Sequence, residues 1–160
     1  RGYRPFLCLI MAVVRGEQGA VRFAAAGTVA ATDAAIVGTR SWTLNITKET
    51  IDATKQGDTF RSFVGSMISG SGTVELVFDR SQSSQLTFLE DVLTTSDPAD
   101  AAFELFTDSD GIDGTSIASD TDAFKFNGII TSADVGSTTG DLVVATCNFV
   151  TSGTITSKLD

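Results

Sequence analysis

The sequence predicts a mainly β protein: an antiparallel β-sandwich or partly closed barrel with one packed α-helix. Three observations predict it. First, apolar and polar residues alternate over residues 41–54. Trp42, Leu44 and Ile46 interleave with Thr43, Asn45 and Thr47, and Ile51 and Ala53 interleave with Asp52 and Thr54. A period of two marks a half-buried strand. Second, the chain is rich in Thr, Ser, Gly and Val, carries 11 Phe and has only 2 Pro. That mixture favours strands joined by polar turns. Third, one segment alone, Ser83–Thr94, has clear helical spacing. The chain of 160 residues suits a single domain, 1–160. At that size roughly 70% of the unfolded surface is buried on folding, so no staple is needed.

The elements follow in order. Residues 1–14, RGYRPFLCLIMAVV, combine a basic start with an apolar run. They resemble a signal peptide, yet the run is too short to span a bilayer as a helix. Residues 1–10 read as an N-terminal extension ahead of Met11-Ala12, or as an extra strand. Val21–Ala25 is a short strand, and Gly27–Ala35 a small-residue loop. Ile36–Thr47 is a strand running into the alternating segment. Gly57-Asp58 is a turn dipeptide, because glycine supplies the backbone freedom that a tight reversal needs. Phe60, Val64 and Met67 fit a helical turn, Ser66–Gly72 reads as a bend, and Thr73–Asp79 is a strand with Val74, Leu76 and Phe78 on one face.

The helix at Ser83–Thr94 places Leu86, Leu89, Val92 and Leu93 in one apolar stripe, with Glu90 and Asp91 toward the other side. Ser81, Ser83 or Ser84 can cap its start. Asp97-Pro98 ends it. Ala101–Thr107 is a strand with Glu104 facing away from Phe103 and Leu105. Ala123–Ala133 and Asp141–Thr151 are long strands joined across Gly136–Gly140. The second is apolar enough to be covered on both faces, and Thr154–Ser157 finishes the sheet.

The chemistry this composition excludes is as informative as the folding pattern. Histidine is absent, which removes the commonest general base and the commonest zinc ligand. No glycine-rich phosphate loop ending in Gly-Lys is present. Cys8 and Cys147 lie far apart and form no metal-ligand pattern, so both read as buried reduced thiols. An enzyme is not expected, and no cofactor. The best ion-binding candidate is the loop 108–114, where Asp108, Asp110 and Asp113 could offer oxygens to calcium. The spacing departs from that of an EF-hand, and the plainer reading is a solvated turn. Net charge is −9, and an acidic surface repels nucleic acid rather than gripping it.

One combination of residues carries a likeness to a known family. Trp42 and Leu44 in one strand, Ile51, Asp52 and Thr54 in the next, then Gly57, Asp58, Phe60 and Arg61, resemble the tail tube (major tail) proteins of tailed bacteriophages. The likeness is best over 39–79. It implies the fold given above, which that family shares with the inner-tube proteins of type VI secretion. It further implies six copies in a ring and rings stacked into a hollow tube for double-stranded DNA. The partners would be further copies of the chain, a tape measure protein and a terminator, with no membrane. The place would be the virion tail, after assembly in the host cytoplasm. On this reading Asp52, Glu75 and Glu104 are lumen candidates, because they face away from the apolar side. Asp58 and Arg61 are assembly candidates, forming an ion pair within or between subunits. The alternatives are a secreted β-sandwich adhesin or ligand-binding module, from another class, and a type VI secretion-like inner tube protein.

Overall fold

A computed structural model describes residues 19–27, 29, 35–94, 98–108, 112 and 121–159. The strands are β1 (Ala20–Ala24), β2 (Thr39–Asp52), β3 (Phe63–Val77), β4 (Ala101–Phe106), β5 (Ala123–Gly136) and β6 (Val144–Lys158), with α1 (Ser83–Glu90) between β3 and β4. All six strands form one sheet, in the order β1-β4-β5-β6-β3-β2. Every ladder is antiparallel.

Of the two architectures the sequence left open, the partly closed barrel forms and the two-sheet sandwich does not. The sheet curls until its margins approach and stops short of closure. Ile36, just ahead of β2, donates its N–H to the carbonyl of Val21 in β1 at 2.7 Å. Trp42 in β2 donates its indole N–H to the carbonyl of Phe106 in β4 at 3.1 Å. No ladder joins β1 to β2. The enclosed face holds the core, centred on Phe23, Phe88, Phe103, Phe126 and Phe149. Phe103, Phe126 and Phe149 stack with ring centroids 5.1–5.3 Å apart. Phe23 meets Phe88 and Phe103 edge-on at 5.0 and 5.1 Å. Both arrangements suit the aromatic quadrupole.

Several expectations are corrected by contacts remote in sequence. The glycine and serine run at 66–72 is the interior of β3 and contains no bend. Its glycines serve close approach: a Cβ on Gly72 would lie 2.0 Å from the carbonyl oxygen of Thr43 and 2.6 Å from the ring of Phe149. Phe60, Val64 and Met67 form no helical turn, since β3 begins at Phe63. Thr154–Ser157 is no separate strand but the continuation of β6. In β6 only one face is buried, through Ala145, Cys147 and Phe149. The strand covered on both faces is β4 instead, where all six residues are buried.

The helix is shorter than expected, and only part of the expected stripe faces inward: Leu89 and Val92 pack against the core. α1 ends at Glu90 and a 3-10 turn continues over Asp91–Leu93. Gln85, Phe88 and Asp91 are its buried positions, while Leu93 is 75% exposed. Gln85 explains how a polar side chain enters this position. Its Oε1 accepts the Asp79 N–H at 2.7 Å. Its Nε2 donates to the carbonyls of Val37 and Val77. One amide thus satisfies three backbone groups on two segments, and burial without such partners would be costly. No serine caps the helix. Gln82 stands at the cap without a side-chain bond, and Ser81 turns back to Asp79 instead, donating through both N–H and hydroxyl to Oδ1.

Candidate functional site

The feature that sets this molecule apart is a two-stranded arm left uncovered at one end of the sheet. β3 pairs with β6 only from Ser71 to Val77. From Phe63 to Gly70 its sole strand partner among the described residues is β2. The parting point is Gly70, whose N–H is donated to the hydroxyl of Thr151 at 2.9 Å. Beyond it β6 follows β5, and the β2–β3 ribbon continues alone. A bulge between Lys48 and Thr50 increases its twist.

The arm is apolar where it stands alone. Phe60 is 84% exposed and Met67 71%, and Ile51, Phe63, Val64 and Ile68 are each more than half exposed. Two-stranded ribbons are marginal in water. A cluster of large exposed apolar side chains marks a surface that meets another molecule. Both long edges of the ribbon also carry unpaired backbone groups, which invite a further strand.

The arm's end is built as the sequence suggested. Gly57 takes φ +100°, and the Asp58 N–H is donated to the Lys55 carbonyl at 3.1 Å. Asp58 accepts the Lys55 N–H through Oδ2 at 2.8 Å. Asp52 accepts both the hydroxyl and the N–H of Thr54 through Oδ1. The Thr54 hydroxyl and then its N–H hold the Asp52 carboxyl below its ordinary value. The two acids at the tip therefore face the loop backbone. Among the described residues Arg61 forms no ion pair, with Asp58 or otherwise, inside the subunit.

A second surface is the outer face of β2, β3, β6 and β5. Register places Ser41, Glu75, Thr146 and Asp134 in one transverse row. Thr43, Thr73, Asn148 and Ser132 form the next. Hydroxyls and amides pair across the strands: Thr43 with Thr73 at 2.8 Å, Thr47 with Ser69 at 3.0 Å, and Asn148 to Ser132 at 2.8 Å. Neither row contains a lysine. Glu75 pairs with Arg40 at 3.3 Å, and Asp134 is exposed.

The lumen candidates therefore part company. Glu75 stands on this polar face. Asp52 lies on the arm opposite Phe63 and away from it. Glu104 is corrected outright: it is 3% exposed and sits between Arg22 at 3.6 Å and Lys125 at 3.2 Å. The reason is register, which sets these residues opposite one another on β1, β4 and β5. A carboxylate so enclosed presents no charge to a bore. Asp134 and Arg40, which the sequence reading missed, join the polar face through pairing alone.

Other candidates gain no geometry. Asp108 lies just past β4, whereas Asp110 and Asp113, like Cys8 and residues 1–10, fall outside the described residues. Among the described residues no three acids or cysteines converge as metal ligands, and no helix is long and apolar enough to cross a membrane. The pocket beside Glu104 and Lys125 measures about 150 Å³, below the roughly 300 Å³ of a small-molecule site. Cys147 is buried and free. Burial, and then the charge of Asp134, pushes its thiol up to about 11.

No family model matches the sequence, and no curated relative does. Solved structures do match. The SPP1 tail tube superposes with a TM-score of 0.64 at 13% identity, covering 92% of this chain and 81% of that one. The chain has the tail-tube fold. A chain of a native gene transfer agent virion gives 0.64 at 15% identity, covering 92% and 100%. A chain from the sheath-tube complex of an extracellular contractile injection system gives 0.62 at 14% identity, covering 92% and 94%. The tail-tube fold thus spans most of the chain, and at these identities it is the fold that is shared.

Proposed function

We propose that this chain is the structural subunit of a phage or phage-like tail tube, assembling as hexameric rings that stack around a bore for double-stranded DNA. The observation that carries the reading is an unfinished sheet with the tail-tube fold. Among the described residues its margins are open, and its apolar arm has no cover. Identical copies joined edge to edge would bury both. The tail of an empty gene transfer agent particle, similar at a TM-score of 0.64, has C6 symmetry, which supports six copies. The subunit would act in the virion tail after assembly in the host cytoplasm. Its partners would be copies of itself, a tape measure protein and a terminator, and it would have no enzymatic role.

The polar face of β2, β3, β6 and β5 suits the bore wall. Duplex DNA carries about one negative charge per 1.7 Å of axis. A cationic wall would hold it, whereas Asp134 repels it within roughly 8–10 Å at physiological salt, and Glu75 offsets the charge of Arg40. Hydroxyls paired to one another add no charge-assisted donor for phosphate. The likeness to a contractile injection tube favours a second reading, a tube that carries other cargo.

Negative-stain microscopy of the purified full chain tests the proposal. Rings or tubes with a central hole are expected. Monomers that persist at high concentration, even with the tail initiator supplied, would sink it. Nuclease-protected DNA inside tube-bearing particles would separate the two cargo readings.

A further inference from the structure

β2 begins with an irregularity. Thr39 pairs with Leu76 and Ser41 with Glu75, so Arg40 is an extra residue facing two adjacent partners on β3. Such a bulge re-aims a side chain. Here it turns the Arg40 guanidinium onto the polar face, where Nη1 stands 3.3 Å from Oε1 of Glu75. The two rows of that face, Ser41–Glu75–Thr146–Asp134 and Thr43–Thr73–Asn148–Ser132, contain no cation. The Arg40 side chain is 64% exposed and the Glu75 side chain 35%. An ion pair so open to water adds little to stability, so stability does not explain it.

An arginine left unpaired here would be the wrong chemistry for a bore. The guanidinium keeps its charge at every working pH and can fork onto phosphate through two N–H groups. Each phosphate so neutralised releases counterions, which tightens the hold as salt falls. In the six-copy ring proposed above the contact would recur around the wall. We propose that Glu75 masks Arg40 from the phosphates of duplex DNA, so that the wall lets the duplex slide instead of holding it. Glu75 is then a positioning residue. It holds Nη1 and cancels the cation locally, while Asp134 in the same row supplies the net negative charge. This rests on the tail-tube reading above, with the polar face as the bore wall.

The full chain, assembled into tubes with a short labelled DNA duplex present, tests it. The readout is duplex that sediments with the tubes and resists nuclease. Unsubstituted tubes should retain little. Glu75→Gln should raise retention about ten-fold, and the gain should vanish between about 50 and 200 mM salt. Arg40→Gln combined with Glu75→Gln should return it to the unsubstituted level. Glu75→Asp, which keeps a carboxylate, should stay at that level. Glu75→Gln tubes that retain no more duplex than the unsubstituted ones, or a gain that survives the loss of Arg40, overturn this inference and leave the tail-tube reading standing. So does a Glu75→Gln chain that forms no tubes, because the pair would then serve assembly. An unsubstituted chain that forms neither rings nor tubes overturns both.

Discussion

The indole Nε1 of Trp42 donates to the carbonyl of Phe106, 3.1 Å away and 64 positions further along the chain. Trp42 belongs to one margin of the sheet and Phe106 to the second strand from the other. The ring also meets Phe124 edge-on at 6.5 Å. Together with the bond from the Ile36 N–H to the Val21 carbonyl, this side chain sets how far the sheet curls.

Trp42→Phe removes the donor and trims the indole to a phenyl ring. It is expected to cost about 2 kcal/mol, from the lost hydrogen bond with its unmet carbonyl and the smaller packed surface. The urea midpoint should fall with an unchanged slope, and under the proposed tail-tube function assembly should weaken as well. A midpoint that does not move would mean that the bond contributes nothing.

Gly72→Ala places a methyl where the Thr43 carbonyl oxygen already stands, 2.0 Å away. Backbone on both strands has to part, so the loss should reach about 3 kcal/mol, at the upper end for overpacking. Gly136, around which nothing lies within 4 Å, provides the control. Gly136→Ala should unfold within about 0.5 kcal/mol of the parent, as surface changes usually do.

Glu104→Gln separates a structural acid from a lumen acid. Enclosed between Arg22 and Lys125, the carboxylate should be needed for stability, at roughly 3 kcal/mol for a broken buried pair. Thermal unfolding of the variant measures this. Glu75, 35% exposed and proposed for the bore wall, should tolerate Glu75→Gln with little change in melting.

Cys147 gives a pH dependence with a definite sign. Its folded value, about 11, lies above the ordinary 9.0. Between those values the unfolded chain releases a proton that the folded chain keeps, so stability is full below pH 9 and falls toward pH 11. The loss is on the order of 2 kcal/mol. Urea unfolding from pH 8 to 11 should show a decline that Cys147→Ala reduces, and native Cys147 should resist alkylation at pH 8.

Much of this was legible in the sequence. Alternation at Trp42, Leu44 and Ile46 marked β2, Gly57-Asp58 marked the turn, and the spaced residues from Trp42 to Arg61 pointed to the tail-tube fold. These signals are local: a period of two or a turn dipeptide depends only on neighbours along the chain. The tertiary structure alone decided that the glycines of β3 lie inside a strand, since only contact with Thr43 and Phe149 shows why they must be small. It also decided that Gln85 points inward and Glu104 is enclosed. Burial and charge pairing depend on which strands meet and in what register. Those meetings join residues that no local pattern relates, as Glu104 with Arg22 and Lys125.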